Sequence, residues 1–191
     1  MQIEGRKLFS NGFKQRGFTL GELLTTMTVV GLSLSLAIPS FNAIVNNNRR
    51  ASGVNQLVST MYLARSEAIT RNAQITVCPS QNGVGCQAIA WNQGWLLFTD
   101  ANSDRTVDPG EFILAHLPAN PRLDIQSAEF GTFFVYRPNG RLMVNTTAQN
   151  TGQMTICDPR GADQARVVIV NASGHPRLSE YQSDGSNPVC P

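Results

Sequence analysis

The 191-residue sequence predicts an α+β protein in which a long N-terminal helix packs on an antiparallel β-rich domain. Three observations carry that prediction. A nearly uncharged apolar run extends from Phe18 to about Val45. A stripe of apolar residues at helical spacing follows it without a break. From Gln74 onward the pattern changes to short apolar segments separated by Gly, Pro, Asn and Asp, as in a chain of strands and turns. The hydrophobic fraction, 41%, is that of a folded protein and excludes a disordered or collagen-like chain.

The N-terminus comes first. Residues 1–17 carry Arg6, Lys7, Lys14 and Arg16 against one acid, Glu4, whereas the remainder holds eleven basic and twelve acidic residues. The positive balance of the chain therefore belongs to this leader. The apolar run behind it contains a single charge, Glu22, and is long enough to cross the roughly 30 Å apolar core of a bilayer as a helix. Four basic residues precede it and Arg49 and Arg50 follow it, a bias that points the leader to the cytoplasm and the bulk of the chain outward. An ordinary signal peptide would place small residues and a cleavage site after the run. Here the run ends at Pro39-Ser40-Phe41 and passes into an amphipathic pattern. A plain signal anchor accounts for the length and flanks, but not for Gly17, Phe18 and Glu22 together.

The segment Arg16-Gly17-Phe18-Thr19-Leu20-Gly21-Glu22-Leu23 resembles the class III signal of type IV prepilins and type II secretion pseudopilins. The resemblance implies that a prepilin peptidase cuts between Gly17 and Phe18 and methylates the new N-terminus at Phe18. It implies that Glu22, fifth from the cut, acts in assembly by pairing with the terminal ammonium of a neighbouring subunit. A carboxylate inside a membrane segment is expensive and is normally paired or functional, which fits that role. Pro39 matches the proline that kinks the family's apolar helix. Gly21 departs from the family pattern, which commonly has a bulky aliphatic residue there, and lowers helix propensity.

Residues 1–17 are thus read as a cleaved leader and 18–45 as a transmembrane helix. Residues 46–73 are the amphipathic continuation of that helix, and 74–191 form an extracytoplasmic domain. Val54, Leu57, Val58, Met61, Tyr62, Ala68 and Ile69 form the apolar face of the continuation. Strands are expected near 74–78, 94–99, 111–117, 123–126, 132–136, 141–144, 153–157 and 166–170, with a shorter one at 177–178. Trp95, Phe98, Phe112, Phe133, Phe134 and Val168 are expected in the core. The tract Gly94-Trp95-Leu96-Leu97-Phe98-Thr99-Asp100, followed by an acidic loop and Gly110-Glu111, is similar to the branch that holds the H-type pseudopilin and the T- and U-type fimbrial minor pilins. The implied architecture is pilin-like.

Four cysteines suit two disulfides outside the cytoplasm and allow three pairings. Cys78 with Cys86 would close a short loop containing Gly83 and Gly85. Cys157 with Cys190 would then pin the C-terminus. A zinc site is the competing reading, but neither pair has the tight spacing that zinc sites favour.

Two further motifs are weighed for chemistry. Asp100, Asn102, Asp104, Asp108 and Glu111 match the ligand offsets of a 12-residue calcium loop. Against that, Arg105 stands where such loops need glycine, the flanks read as strands, and Asp and Asn are ordinary turn formers. A solvated hairpin loop is the reading adopted, with no metal assigned. The second motif is Gly174-His175-Pro176-Arg177. It aligns with the G-R-x-R DNA-binding motif of fimbrial T-type minor pilins but keeps only the glycine and the last arginine. Arg141, with Arg137, Arg160 and Arg166, could join Arg177 on one surface. The alternative is that these arginines pair with Asp158, Asp163, Glu180 and Asp184. No nucleophile elbow, phosphate loop or dinucleotide fingerprint is present, and neither histidine has a partner motif.

The sequence therefore predicts a structural, non-enzymatic subunit of a type IV pilus or secretion pseudopilus, with no cofactor and no small-molecule substrate. It would sit in the bacterial inner membrane with its globular domain in the periplasm, and be fibre-associated after assembly. Its expected partners are the prepilin peptidase and other subunits. DNA capture through Gly174, Arg177 and Arg141 is the alternative function.

Overall fold

The computed structural model describes residues 17–144 and 150–191. The basic leader lies outside the described residues, apart from Gly17. Among the described residues, one α-helix, α1 (Leu20–Arg71), is followed by nine strands. The chain separates into two compact units, one ending at Ala43 and the other beginning at Ile44.

In the first unit α1 starts with a capping box. The Thr19 hydroxyl accepts from the Glu22 amide at 3.2 Å, and Glu22 Oε2 accepts from the Thr19 amide at 3.0 Å. Phe18, Leu20, Leu23, Met27, Val30 and Phe41 are all exposed, so the helix is apolar around its circumference and uncovered. Such a helix needs lipid or other helices around it. Its length and hydropathy suffice to cross a membrane. The hydroxyls of Thr25, Thr26, Thr28, Ser33 and Ser35 donate to carbonyls three or four residues back, which satisfies them without water. α1 continues through Pro39, whose ring lies outside the described atoms.

The second unit is built on the rest of α1. Val54, Leu57, Met61, Ala64 and Ala68, spaced three and four apart, are fully buried or nearly so and form the core stripe. Ala64 joins it, fully buried in the same core. Tyr62 and Ile69, expected in the stripe, are half exposed on its flank. The helix stops in a Schellman turn: Asn72 takes φ 52°, its amide donates to Ile69, and the Ala73 amide donates to Ala68.

Two antiparallel sheets complete the unit. The first has the order β3-β2-β1-β5-β6, from β1 (Ile75–Pro79), β2 (Gly94–Thr99), β3 (Ile113–Pro118), β5 (Phe134–Tyr136) and β6 (Leu142–Val144). The second has the order β4-β7-β8-β9, from β4 (Asp124–Gln126), β7 (Gly152–Cys157), β8 (Arg166–Val170) and β9 (Pro176–Ser179). Their inner faces and the α1 stripe share one core, in which Trp91, Phe130, Phe134 and Tyr136 form a chain of ring contacts. Trp95 donates its indole N–H to the Thr60 hydroxyl at 3.1 Å, locking β2 to the helix.

β1 and β2 are buried on both faces, because loops cover the side away from the helix. A second cluster of Cys78, Leu96 and Phe98 lies under those loops, with Val107 and Phe133 packed on it. Phe112 departs from expectation. It is 64% exposed and lies just ahead of the edge strand β3, held to Thr99 by its backbone.

Disulfides join Cys78 to Cys86 and Cys157 to Cys190. The second carries the C-terminal segment across the outer face of the second sheet. There Gln153 exchanges hydrogen bonds with Gln182 and the Ser183 amide.

Candidate functional site

Gly17, Phe18 and Thr19 precede the first helical residue in irregular backbone, and all three are exposed. A Cβ added at Gly17 would meet nothing within 4 Å, so the fold itself does not require glycine there. Glu22 sits in the first turn of α1 and is exposed, its carboxylate shared between the Thr19 amide and hydroxyl. The capping role of Thr19 went unread in the sequence, although Thr-x-x-Glu ahead of an apolar run is its signal.

The arginine-bearing residues divide into three places. Asp158 is the centre of the first: Arg160 binds both its oxygens, and Arg50 approaches Oδ2 to 3.7 Å. Asn47 accepts from Arg160 at 2.9 Å, and Arg50 also donates to the Gln164 carbonyl. Burial works against the Asp158 charge, but the hydrogen bonds from Arg160 and the charges of Arg160 and Arg50 outweigh it and hold this carboxyl below its ordinary range. The second place is a single ion pair, Arg166 with Glu180 at 3.1 Å.

The third place is the meeting of two hairpin tips. Arg141 donates through Nε to the Ala172 carbonyl at 3.3 Å. Gly174, at φ 80°, lies so close to Gly140 that an added Cβ would stand 2.1 Å from the Gly140 carbonyl oxygen. Tyr136 donates to the Gly174 carbonyl at 3.1 Å, and Arg65 donates to the Gly140 carbonyl at 3.1 Å. Burial pushes the Tyr136 phenol well above its ordinary pKa. Arg177 lies on β9 opposite Ile169 and is exposed.

The fold thus brings Arg141 and the Gly174 turn together and gives Arg160 and Arg166 to acids. Arg137 is directed at the Met143 sulfur, 3.0 Å away. Gly174 has a structural reason to be glycine that the sequence did not disclose. Among the described residues, no group of three or more His, Cys, Asp and Glu side chains is arranged to hold a metal ion. The arrangement offers helix-to-helix contact, an acid at a helix start and a small cationic edge.

Comparison with known proteins agrees with that character. Residues 53–174 match the family described as type II transport protein GspH. The chain is 31% identical over 175 residues to the pilin-like protein PilA1 of Thermus thermophilus, an alignment covering 86% of this chain and 98% of the relative. Its fold is similar to that of the type IV minor pilin FimU of Pseudomonas aeruginosa in two crystal forms. One has TM-score 0.54 at 18% identity, covering 73% of this chain and 98% of FimU; the other has 0.55 at 19%, covering 77% and 98%. The chain has an α+β, pilin-like fold, with a long N-terminal helix packed against an antiparallel β-sheet domain. The chain belongs to the GspH family of type II transport proteins.

Proposed function

We propose that this protein is made as a precursor, cut between Gly17 and Phe18 by a prepilin peptidase and methylated at Phe18, and assembled through α1 into a type IV pilus or a type II secretion pseudopilus. In this reading it crosses the bacterial inner membrane once, with the globular domain in the periplasm before assembly. The observation that carries the proposal is the arrangement of residues 17–22. An exposed Gly-Phe junction in irregular backbone stands directly ahead of an uncovered apolar stretch of helix, and the single acid of that stretch, Glu22, sits in its first turn.

While Phe18 is still bonded to Gly17, the Glu22 carboxylate is occupied by Thr19. Cleavage creates an ammonium group at Phe18, and a neighbour's ammonium is the partner that a carboxylate in a membrane segment requires. Gly17→Ala tests the first step. The variant folds, because no atom crowds that position, and it keeps its leader on a gel. A normally shortened product overturns the cleavage reading.

Capture of DNA is the second reading. It is favoured by the juxtaposition of Arg141 with the Gly174 turn, three residues from the exposed Arg177. Its signature is binding that weakens steeply with salt and falls in Arg177→Ala. Absence of binding at low salt removes it and leaves assembly alone.

A further inference from the structure

The loop joining β2 to β3 lies outside the helix that assembly would use. We propose that Asp100, Asn102, Asp104, the Thr106 carbonyl, Asp108 and Glu111 form a calcium site. The offsets are those of a 12-residue calcium loop, at positions one, three, five, seven, nine and twelve.

The observation that points to a ligand is Asp100. Its side chain is fully buried, and its Oδ1 has no hydrogen-bond partner. The carboxylate is turned into the loop, because Oδ2 accepts the Arg105 amide at 3.2 Å as well as the Thr76 hydroxyl at 2.6 Å. A buried carboxylate oxygen left without a partner is costly, and a cation supplies the missing partner.

Arg105 does not prevent the turn. It stands at position six with φ 67°, the left-handed conformation that glycine usually provides. Its guanidinium lies 4.2 Å over the Phe133 ring, which gives its charge a partner outside the loop. Strands replace the helices of an EF-hand at the flanks, but the ligands all come from the loop.

In the present arrangement the acids are not gathered round one point. The Asn102 amide nitrogen lies between Asp104 Oδ2 at 2.9 Å and Asp108 Oδ2 at 3.0 Å and donates to both. It occupies the position of a cation between two carboxylates. Turning that amide presents Oδ1 in place of the N–H donors, a rotation about a soft terminal torsion. Glu111 now accepts from the Ala101 and Asp108 amides, and it closes the loop as the twelfth-position acid does. A bound ion would fix Val107 over the second cluster.

The test uses the full-length chain in detergent micelles, stripped with chelator. Wild type is expected to hold about one calcium per chain in equilibrium dialysis, with a Kd within the 10⁻⁴–10⁻³ M order of extracellular modules, and to melt higher with calcium. Asp104→Asn combined with Asp108→Asn alters one exposed and one half-buried side chain outside the core and keeps an accepting oxygen at each, so the fold survives. That variant should bind at least about tenfold more weakly and lose the thermal shift. Wild type that takes up no stoichiometric calcium at millimolar concentration overturns the proposal. So does a folded variant that binds as wild type does.

Discussion

Tyr136 on β5 donates its phenol to the carbonyl of Gly174, 3.1 Å away in the β8–β9 turn, and thereby ties one sheet to the other. Tyr136→Phe removes the donor and leaves a buried carbonyl short of a partner. The expected loss is about 1–2 kcal/mol, read as a melting point lower by several degrees. The same residue gives a pH signature. Burial raises its pKa in the folded chain, so stability is complete below the ordinary tyrosine value near 10 and declines as pH rises beyond it. Above that value wild type should lose up to about 1.4 kcal/mol per pH unit more than Tyr136→Phe. Parallel curves for the two proteins would contradict the assignment.

Asp158 holds Arg160 and Arg50 together where α1 meets the second sheet. Its side chain is only 1% exposed, and that of Arg50 10%. Asp158→Asn should cost about 1–3 kcal/mol, because the nearly buried Arg50 guanidinium loses its counter-charge while keeping its hydrogen bond to the Gln164 carbonyl. Combining it with Arg50→Met should restore part of the loss in a double-mutant cycle. Because the carboxyl titrates below its ordinary range, its contribution is present above about pH 4 and fades as pH falls. Acid unfolding of Asp158→Asn should accordingly begin from a lower plateau with a shallower slope.

Glu22 has two roles that one pair of substitutions separates. Glutamine can complete a capping box, whereas alanine cannot. If charge pairing drives assembly, Glu22→Gln and Glu22→Ala are both cleaved and both fail to form fibres. Fibres from the glutamine variant alone would assign the role to the cap. Thr19→Ala removes the cap and keeps the charge; it should weaken the helix start by about 1 kcal/mol.

The two disulfides should differ in weight. Cys157–Cys190 spans 33 residues and Cys78–Cys86 spans eight. The loop-entropy relation gives about 3.7 kcal/mol for the first and about 2.5 kcal/mol for the second. Replacing both cysteines of the first pair by serine should also expose the segment after Glu180 to protease. Equal melting points and unchanged digestion would show that the side-chain bonds of Gln153 suffice to hold it.

Much of the fold was legible because its determinants are local. The Gly, Pro, Asn and Asp residues between the apolar segments bounded the strands, and the three-four spacing from Val54 to Ala68 marked the buried helix face. Phe112 misled because its class suits a core, while exposure is decided by position beside an edge strand. The pairing order of the strands and the path of the C-terminal segment rest on contacts between distant residues, which no local pattern encodes. At the candidate site, the Gly-Phe junction and Glu22 were readable as a spaced motif. Gly174 was not, because a sequence cannot separate a glycine suited to a phosphate from one that admits another backbone. Asp100 looked like one acid among several, and only its burial sets it apart.

The contact of Gly140 with Gly174 has a consequence for how this protein can vary. Thirty-four positions separate them in sequence, yet neither can gain a side chain without striking its surroundings. The obstacles differ: at Gly174 it is the Gly140 carbonyl itself, and at Gly140 it is the side-chain ends of Ile69 and Arg65 on α1. A library randomised at either site should return glycine, and tolerance at Gly174 can appear only in lineages where the two tips have moved apart.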